Sequence, residues 1–212
     1  MSDKAQYIIG MNGPPKVGKD TVGLCVRHLL DSVTSLSTHV DWLARPMRQM
    51  AMGLVGLNPN DFNLYNVEKD KPNQLLRRAI RSSNTQVEAN DSLRELMIAT
   101  SEELIKPRYG YDFWGRKLIY DQKWLGLGYP GILIVPDVGF SQEVDAFDEL
   151  EGVKTLIVQL ERNGVGWAND SRDYCFGKNT ERFGNNGTPM DCARQIVTHM
   201  TRELGWSFDE VA

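Results

Sequence analysis

Cysteine is scarce in this 212-residue chain, and its three copies, Cys25, Cys175 and Cys192, are odd in number, far apart and free of any CxxC spacing. Neither a disulfide framework nor a cysteine zinc site organises the fold, and a reduced, cytoplasmic setting is expected. Long apolar runs are missing as well. No stretch is long enough to span a bilayer, and the opening MSDKAQYIIG passes from a polar tail into an apolar strand without a signal-peptide hydrophobic region. Secretion and membrane insertion are therefore not expected. Clustered positive charge is the third absence. With 24 lysines and arginines against 28 acidic residues the net charge is −4 and no basic run stands out, so no nucleic-acid partner is expected and any phosphate site must be local. The histidines, His28, His39 and His199, show no metal-ligand spacing. What remains is 41% hydrophobic, sufficient for one substantial core.

The apolar material alternates between strand and helix patterns. Tyr7 to Met11 reads as a buried strand, and Gly18 to Ser32 as a helix through Val22, Val26, Leu29 and Leu30. Thr38 to Leu43 is a second candidate strand, followed by Pro46 in the first turn of a helix carrying Met47, Met50, Ala51 and Leu54. Residues 56 to 92 are polar and asparagine-rich, with one helix expected around Leu75 to Ile80. Asp91 or Ser92 is placed to cap a helix through Leu93, Leu96, Met97, Leu104 and Ile105, and another helix is predicted from Phe113 to Trp124. GILIV (131 to 135) and KTLIVQL (154 to 160) are continuous apolar runs of the kind found in parallel strands, with a helical stretch from Val144 to Leu150 between them. A polar, glycine-rich excursion from Arg162 to Asn186 precedes a last helix, Pro189 to Leu204. This alternation predicts an α/β sandwich with a parallel sheet.

Gly13, Pro14, Pro15, Lys16, Val17, Gly18 and Lys19 fit GxxxxGK between a predicted strand and a predicted helix, the context that phosphate-binding loops require. Glycines let successive backbone N–H groups converge on phosphate oxygens, and the helix start adds its positive dipole end. Lys19 is suited to neutralise the β and γ phosphates. The usual pattern sets Ser or Thr directly after the lysine, whereas here Asp20 precedes Thr21. A carboxylate at Asp20 is a hard-oxygen ligand for Mg²⁺, directly or through water, and the Thr21 hydroxyl remains in reach of an inner phosphate. Gly13, Lys16, Val17, Gly18, Lys19, Asp20 and Thr21 are thus candidates to bind ATP, with Asp20 the candidate Mg²⁺ ligand. The competing reading is a chance glycine turn with a surface lysine. The loop itself does not name the phosphate acceptor.

Five stretches bear on the acceptor. The loop ends GKDT; WLARPMRQM (42 to 50) sets Pro46 and Arg48 just beyond a candidate strand; RELMIATSEELI runs from Arg94 to Ile105, with Asp112 and Trp114 beyond it. LIVPDVGFSQEVDAF carries Asp137 and Glu143, while LERNG supplies Arg162 and NNGTPMD a turn of Asn186, Gly187 and Thr188. In this order, along nearly the whole chain, the stretches resemble the deoxynucleoside monophosphate kinases of bacteriophages, a branch of the P-loop nucleotide kinase fold. Departures occur at Ile98 in place of Gln, Ser101 and Glu102 in place of Gly and Thr, Gly139 in place of Arg, and Arg172 in place of His.

The resemblance implies a three-layer αβα sandwich forming a single domain over 1–212, with an acceptor-binding cap at about 45–92 and a lid-like excursion at about 162–186. It implies ATP-dependent, Mg²⁺-requiring phosphorylation of deoxynucleoside monophosphates to diphosphates by a homodimer in host cytoplasm. It also carries Asn186, Gly187 and Thr188 to the donor side and Glu143 to the substrate side. Since phosphoryl transfer is mostly alignment and charge neutralisation, arginines matter: Arg48 and Arg94 are candidates for the acceptor phosphate, Arg162 and Arg172 for the transferring group. A solvated surface charge is the alternative for each. Asp137, at the carboxyl end of its strand, is placed to orient Mg²⁺-bound water or contact the acceptor sugar, or else to cap the next helix or turn. Lys69, Asp70 and Lys71 read as a solvated cluster, and Trp42 and Trp114 as core residues. A kinase for another small phosphorylated metabolite and a nucleotide-binding protein without transfer activity are the competing functions.

Overall fold

The computed structural model describes residues 6–58, 70–83, 92–124, 131–168 and 172–208. Two compact units are formed, Met1–Leu43 with Gly115–Ala212, and Ala44–Trp114.

The first unit is built on five parallel strands: β1 Gln6–Asn12, β2 Thr38–Val40, β3 Ile132–Val135, β4 Val153–Glu161 and β5 Thr180–Gly184, in the order β2-β3-β1-β4-β5. Tyr7 of β1 stands beside Ile132 on one side and Lys154 on the other, which sets the central register. Strand alternation sends Tyr7, Ile9 and Met11 to one face with Ile134, Leu156 and Val158. That face is covered by α1 (Lys19–Val33) through Val22, Val26 and Leu30 and by α8 (Pro189–Arg202) through Ala193, Ile196 and Met200. The opposite face is covered by α7 (Ser141–Asp148). A Cβ on Gly10 would lie 2.9 Å from Ile157 Cδ1, 3.0 Å from Val138 and 4.0 Å from the ring of Phe147 on that helix. With helices on both faces of an all-parallel sheet, this is an α/β fold compatible with the expected three-layer sandwich.

One expectation is corrected. The stretch 162–186, read as a lid-like excursion, contains β5, whose Phe183 is opposite Leu160 of β4. As an edge strand it buries only Phe183 of its five residues (TERFG), so it presents no apolar run to a sequence reading.

The second unit contains α2 (Ala44–Leu54), α3 (Gln74–Ser82), α4 (Leu93–Ala99) and α5 (Lys106–Tyr109). Its core is Ala51, Met52, Val55, Leu76, Leu93, Leu96 and Ala99. The predicted cap at about 45–92 falls inside this unit, which continues beyond it. Ser92 caps α4, its Oγ accepting from Glu95 N at 3.2 Å; Asp91, like Lys69, lies outside the described residues. The continuous helix expected from Leu93 to Ile105 is interrupted by a π-helical turn, Thr100–Ile105. Thr100 Oγ1 donates back to Leu96 O at 2.7 Å at its start, a bond known to loosen the α-helical ladder. The turn brings Ser101 Oγ to the indole N–H of fully buried Trp114 (2.9 Å) and Glu102 to the buried Lys106 Nζ (2.7 Å). α6 (Phe113–Trp124) follows where the sequence predicts it.

Candidate functional site

The chain leaves β1 toward β2 on one side of the sheet and leaves β4 toward β5 on the other. In open parallel sheets such a divergence opens a crevice at the strands' carboxyl ends, here between β1 and β4. Gly13 sits in it. At φ +150°, a Cβ there would meet Leu160 O of β4 at 2.6 Å, so only glycine fits so close to the strand. Lys16 at φ 68° and Gly18 at φ 103° complete a tight loop, closed by Val17 N donating to Pro14 O at 3.3 Å and anchored by the buried Val17 side chain. Lys19 folds back across the loop, Nζ donating to Gly13 O (2.5 Å) and Pro14 O (3.0 Å). The first intrahelical bond of α1 is Val22 N to Gly18 O at 2.9 Å, so the preceding turn directs its N–H groups out of the helix start. Oriented N–H donors, a helix dipole and one ammonium in one place are chemistry that suits a polyanion.

Asp20, next in line, is exposed, and its Oδ1 accepts from Trp42 Nε1 at 2.8 Å. Trp42 is only partly buried, so the core role expected for it is corrected; Trp114 is core as expected. Thr21 is exposed on the first turn of α1. A Mg²⁺ ion held with nucleotide phosphates needs only one or two carboxylates from the protein. Asp20 fits that need; among the described residues no group of three or more His, Cys, Asp or Glu side chains converges to hold a metal unaided.

Asp137, after β3, accepts from Leu43 N at 2.8 Å and thereby ties the exit of β2 to the exit of β3. Glu143, 3% exposed, accepts at Oε2 from Gly139 N (3.0 Å) and Phe140 N (3.1 Å), which closes the start of α7. The two departures Gly139 and Arg172 meet in space: a Cβ on Gly139 would lie 3.1 Å from Arg172 Cδ and 3.8 Å from Glu143 Oε2. Arg172 thus lays its stem where a side chain at 139 would stand. Arg162 is exposed at the end of β4, where Val165 N returns to its carbonyl at 3.0 Å. Asn186 Oδ1 accepts from Asn163 N at 2.8 Å. Thr188 is the N-cap of α8, its Oγ1 accepting from Asp191 N (3.2 Å) and donating to Asp191 Oδ2 (2.6 Å), with Gly187 beside it. In the second unit Arg48 lies on α2 and Arg94 on α4, where Arg94 pairs with Asp70 at 3.2 Å in an exposed bridge.

Three residues that sequence reasoning passed over organise the crevice. Asn12, fully buried at the end of β1, donates to Val138 O (3.0 Å) and Asp173 O (3.4 Å) and accepts from Cys175 N (3.0 Å). Gln159 donates to Cys175 O at 2.9 Å and accepts from both Nε and a terminal nitrogen of Arg182, whose guanidinium stacks 4.2 Å from the Tyr174 ring. Tyr174 OH donates to Leu160 O at 3.3 Å. Residues 172–175 are therefore laid across the ends of β3, β1 and β4, and this part of the expected lid is pinned to the sheet. Burial, with Glu143 nearby, pushes the Cys175 thiol up to about 12; burial and the neighbouring Cys25 push Cys192 to about 11. Both are inert packing thiols at neutral pH. Asn185 is the third residue: its Nδ2 donates to Val17 O at 2.8 Å. A polar residue at the end of an apolar strand is the one signal that marked Asn12 in the sequence; Asn185 had none to distinguish it from Asn186.

No protein-family model matches the chain, and no curated protein is significantly similar to it.

Proposed function

We propose that the chain is a P-loop phosphotransferase that moves the γ-phosphate of ATP to a small phosphorylated acceptor, a deoxynucleoside 5′-monophosphate by the resemblance of its motifs. The observation that carries this reading is the loop Gly13–Lys19 at the divergence of β1 and β4, with Lys19 Nζ held over its carbonyls. Mg²⁺–ATP supplies the transferable group. Lys19 and the N–H groups at the start of α1 hold the polyphosphate and neutralise its charge. Asp20, steadied by Trp42, is the protein's share of the Mg²⁺ site. Arg162 and Arg172 stabilise charge on the transferring oxygens, and Arg48 and Arg94 hold the acceptor phosphate. Binding of ATP to Lys19→Ala by titration calorimetry, alongside turnover, tests the reading. Transfer is expected to disappear with the melting temperature unchanged; normal turnover would remove the loop from the mechanism.

A second reading, nucleotide binding without transfer, is favoured by one observation. The carboxylates of Asp137 and Glu143 each accept from backbone N–H groups and help hold the fold. Tight ATP binding with no product from any acceptor would select it.

A further inference from the structure

Asn185 follows β5 directly and is 3% exposed. Its backbone N–H donates to Glu161 O and its Nδ2 to Val17 O, each at 2.8 Å, while Oδ1 meets no hydrogen-bond partner among the described residues. Turning the amide over gives no relief. It would set Oδ1 against the Val17 carbonyl, acceptor facing acceptor, and deprive Nδ2 of its bond. A buried asparagine whose one side-chain donor bond goes to a loop carbonyl calls for a reason in what that bond holds.

The reason lies in the peptide it grips. No peptide bond among the described residues is cis, so the Val17 carbonyl and the Gly18 N–H point in opposite directions. Fixing Val17 O on Asn185 therefore fixes Gly18 N–H on the other side of the peptide. Turning this peptide over changes ψ of Val17 and φ of Gly18, and Gly18, at φ 103°, is a residue that takes either sign of φ without steric cost. A turned-over peptide would present a carbonyl oxygen where the loop offers a donor. Asn185 also stands 2.6 Å from the place of a Cβ on Gly18, which holds that position to glycine.

We propose that Asn185 is a positioning residue of the phosphate loop: by holding the Val17 carbonyl it keeps the Val17–Gly18 peptide oriented so that the loop meets a polyphosphate with donors only. The inference rests on the loop being the polyphosphate site, and the experiment separates the two claims. Inorganic tripolyphosphate and ATP are titrated calorimetrically into the wild type, Asn185→Leu and Asn185→Asp, with melting temperatures in parallel. Asn185→Leu removes both the clamp and the orphaned acceptor. Its affinity for both ligands should fall about tenfold or more while its melting temperature holds within a few degrees, a split that a purely structural role does not produce. Asn185→Asp keeps the shape but cannot donate when ionised. Its affinity relative to wild type should be low at neutral pH and recover as the carboxyl protonates. That variant decides the matter if Asn185→Leu fails to fold. Wild-type affinity in either folded variant at neutral pH overturns the positioning role and leaves the loop assignment standing. A wild-type protein that binds neither ligand overturns both.

Discussion

Gly13→Ala probes the cradle at its tightest point. The new methyl carbon would stand 2.6 Å from Leu160 O, 3.1 Å from Val17 Cγ1 and 3.4 Å from the Leu160 carbonyl carbon. Two of these three atoms are backbone of β4, a strand paired on both sides, so retreat must come from the loop. Holding alanine at φ +150° costs about 1–3 kcal/mol. Overpacking against a fixed strand adds about 1–3 kcal/mol. At roughly 2–4 °C per kcal/mol for a chain of this size, the melting temperature should drop by about 4–24 °C. The same displacement pulls the loop's N–H groups off their common target, so ATP affinity should fall by about tenfold or more. Gly53→Ala is the matched control. It lies in α2 with nothing within 4 Å of its Cβ position and should raise stability by about 0.5–1 kcal/mol without touching nucleotide binding. Differential scanning calorimetry and ATP titration on the two variants read these effects. A Gly13→Ala protein with both properties unchanged would refute the close approach and the cradle built on it.

Arg94→Ala should raise KM for the acceptor far more than KM for ATP, because Arg94 is assigned to the acceptor phosphate; the reverse pattern in steady-state kinetics would move it to the donor side. Its bridge to Asp70 is exposed, so Asp70→Ala should change stability by under about 0.5 kcal/mol in chemical denaturation. Thr188→Ala removes the cap of α8 and should cost about 1 kcal/mol; ATP affinity close to wild type would limit Thr188 to the cap, and a large affinity loss would support its place on the donor side. Alkaline pH offers a further check. The folded thiols of Cys175 and Cys192 ionise at about 12 and about 11, against 9.0 for the ordinary group. Their contribution is complete below pH 9 and is lost as pH rises toward those values, because the unfolded chain releases its protons first. Melting temperatures measured from pH 8 upward should fall above about pH 9, and Cys175→Ala should flatten the slope.

The strands that carry the site were legible because burial on both sheet faces leaves continuous apolar runs: YIIGM, ILIV and TLIVQL became β1, β3 and β4. The tight turn between β1 and α1 was legible because its glycines mark positions of positive φ. β5 was not, since an edge strand with one buried side chain carries almost no periodic signal. The π-helical turn was equally hidden: Leu93, Leu96, Met97, Leu104 and Ile105 suit a continuous helix, and the inserted residue shows only in the hydrogen bonds. Polar residues divided along another line. Thr188 with Asp191 is a helix-start pattern whose cap role was open to the sequence, and that role stands beside the donor-side place the resemblance implies. Asn12, Gln159 and Asn185 act through partners up to 168 positions away, and such pairings exist only once the sheet is ordered.

The central claim is phosphoryl transfer from ATP, and the most direct measurement is ADP formation with Mg²⁺ when each common deoxynucleoside and nucleoside monophosphate is supplied singly, with chromatography for the diphosphate product. Stoichiometric diphosphate from one or more deoxynucleoside monophosphates is the predicted result. ATP binding without product from any of them would contradict the account.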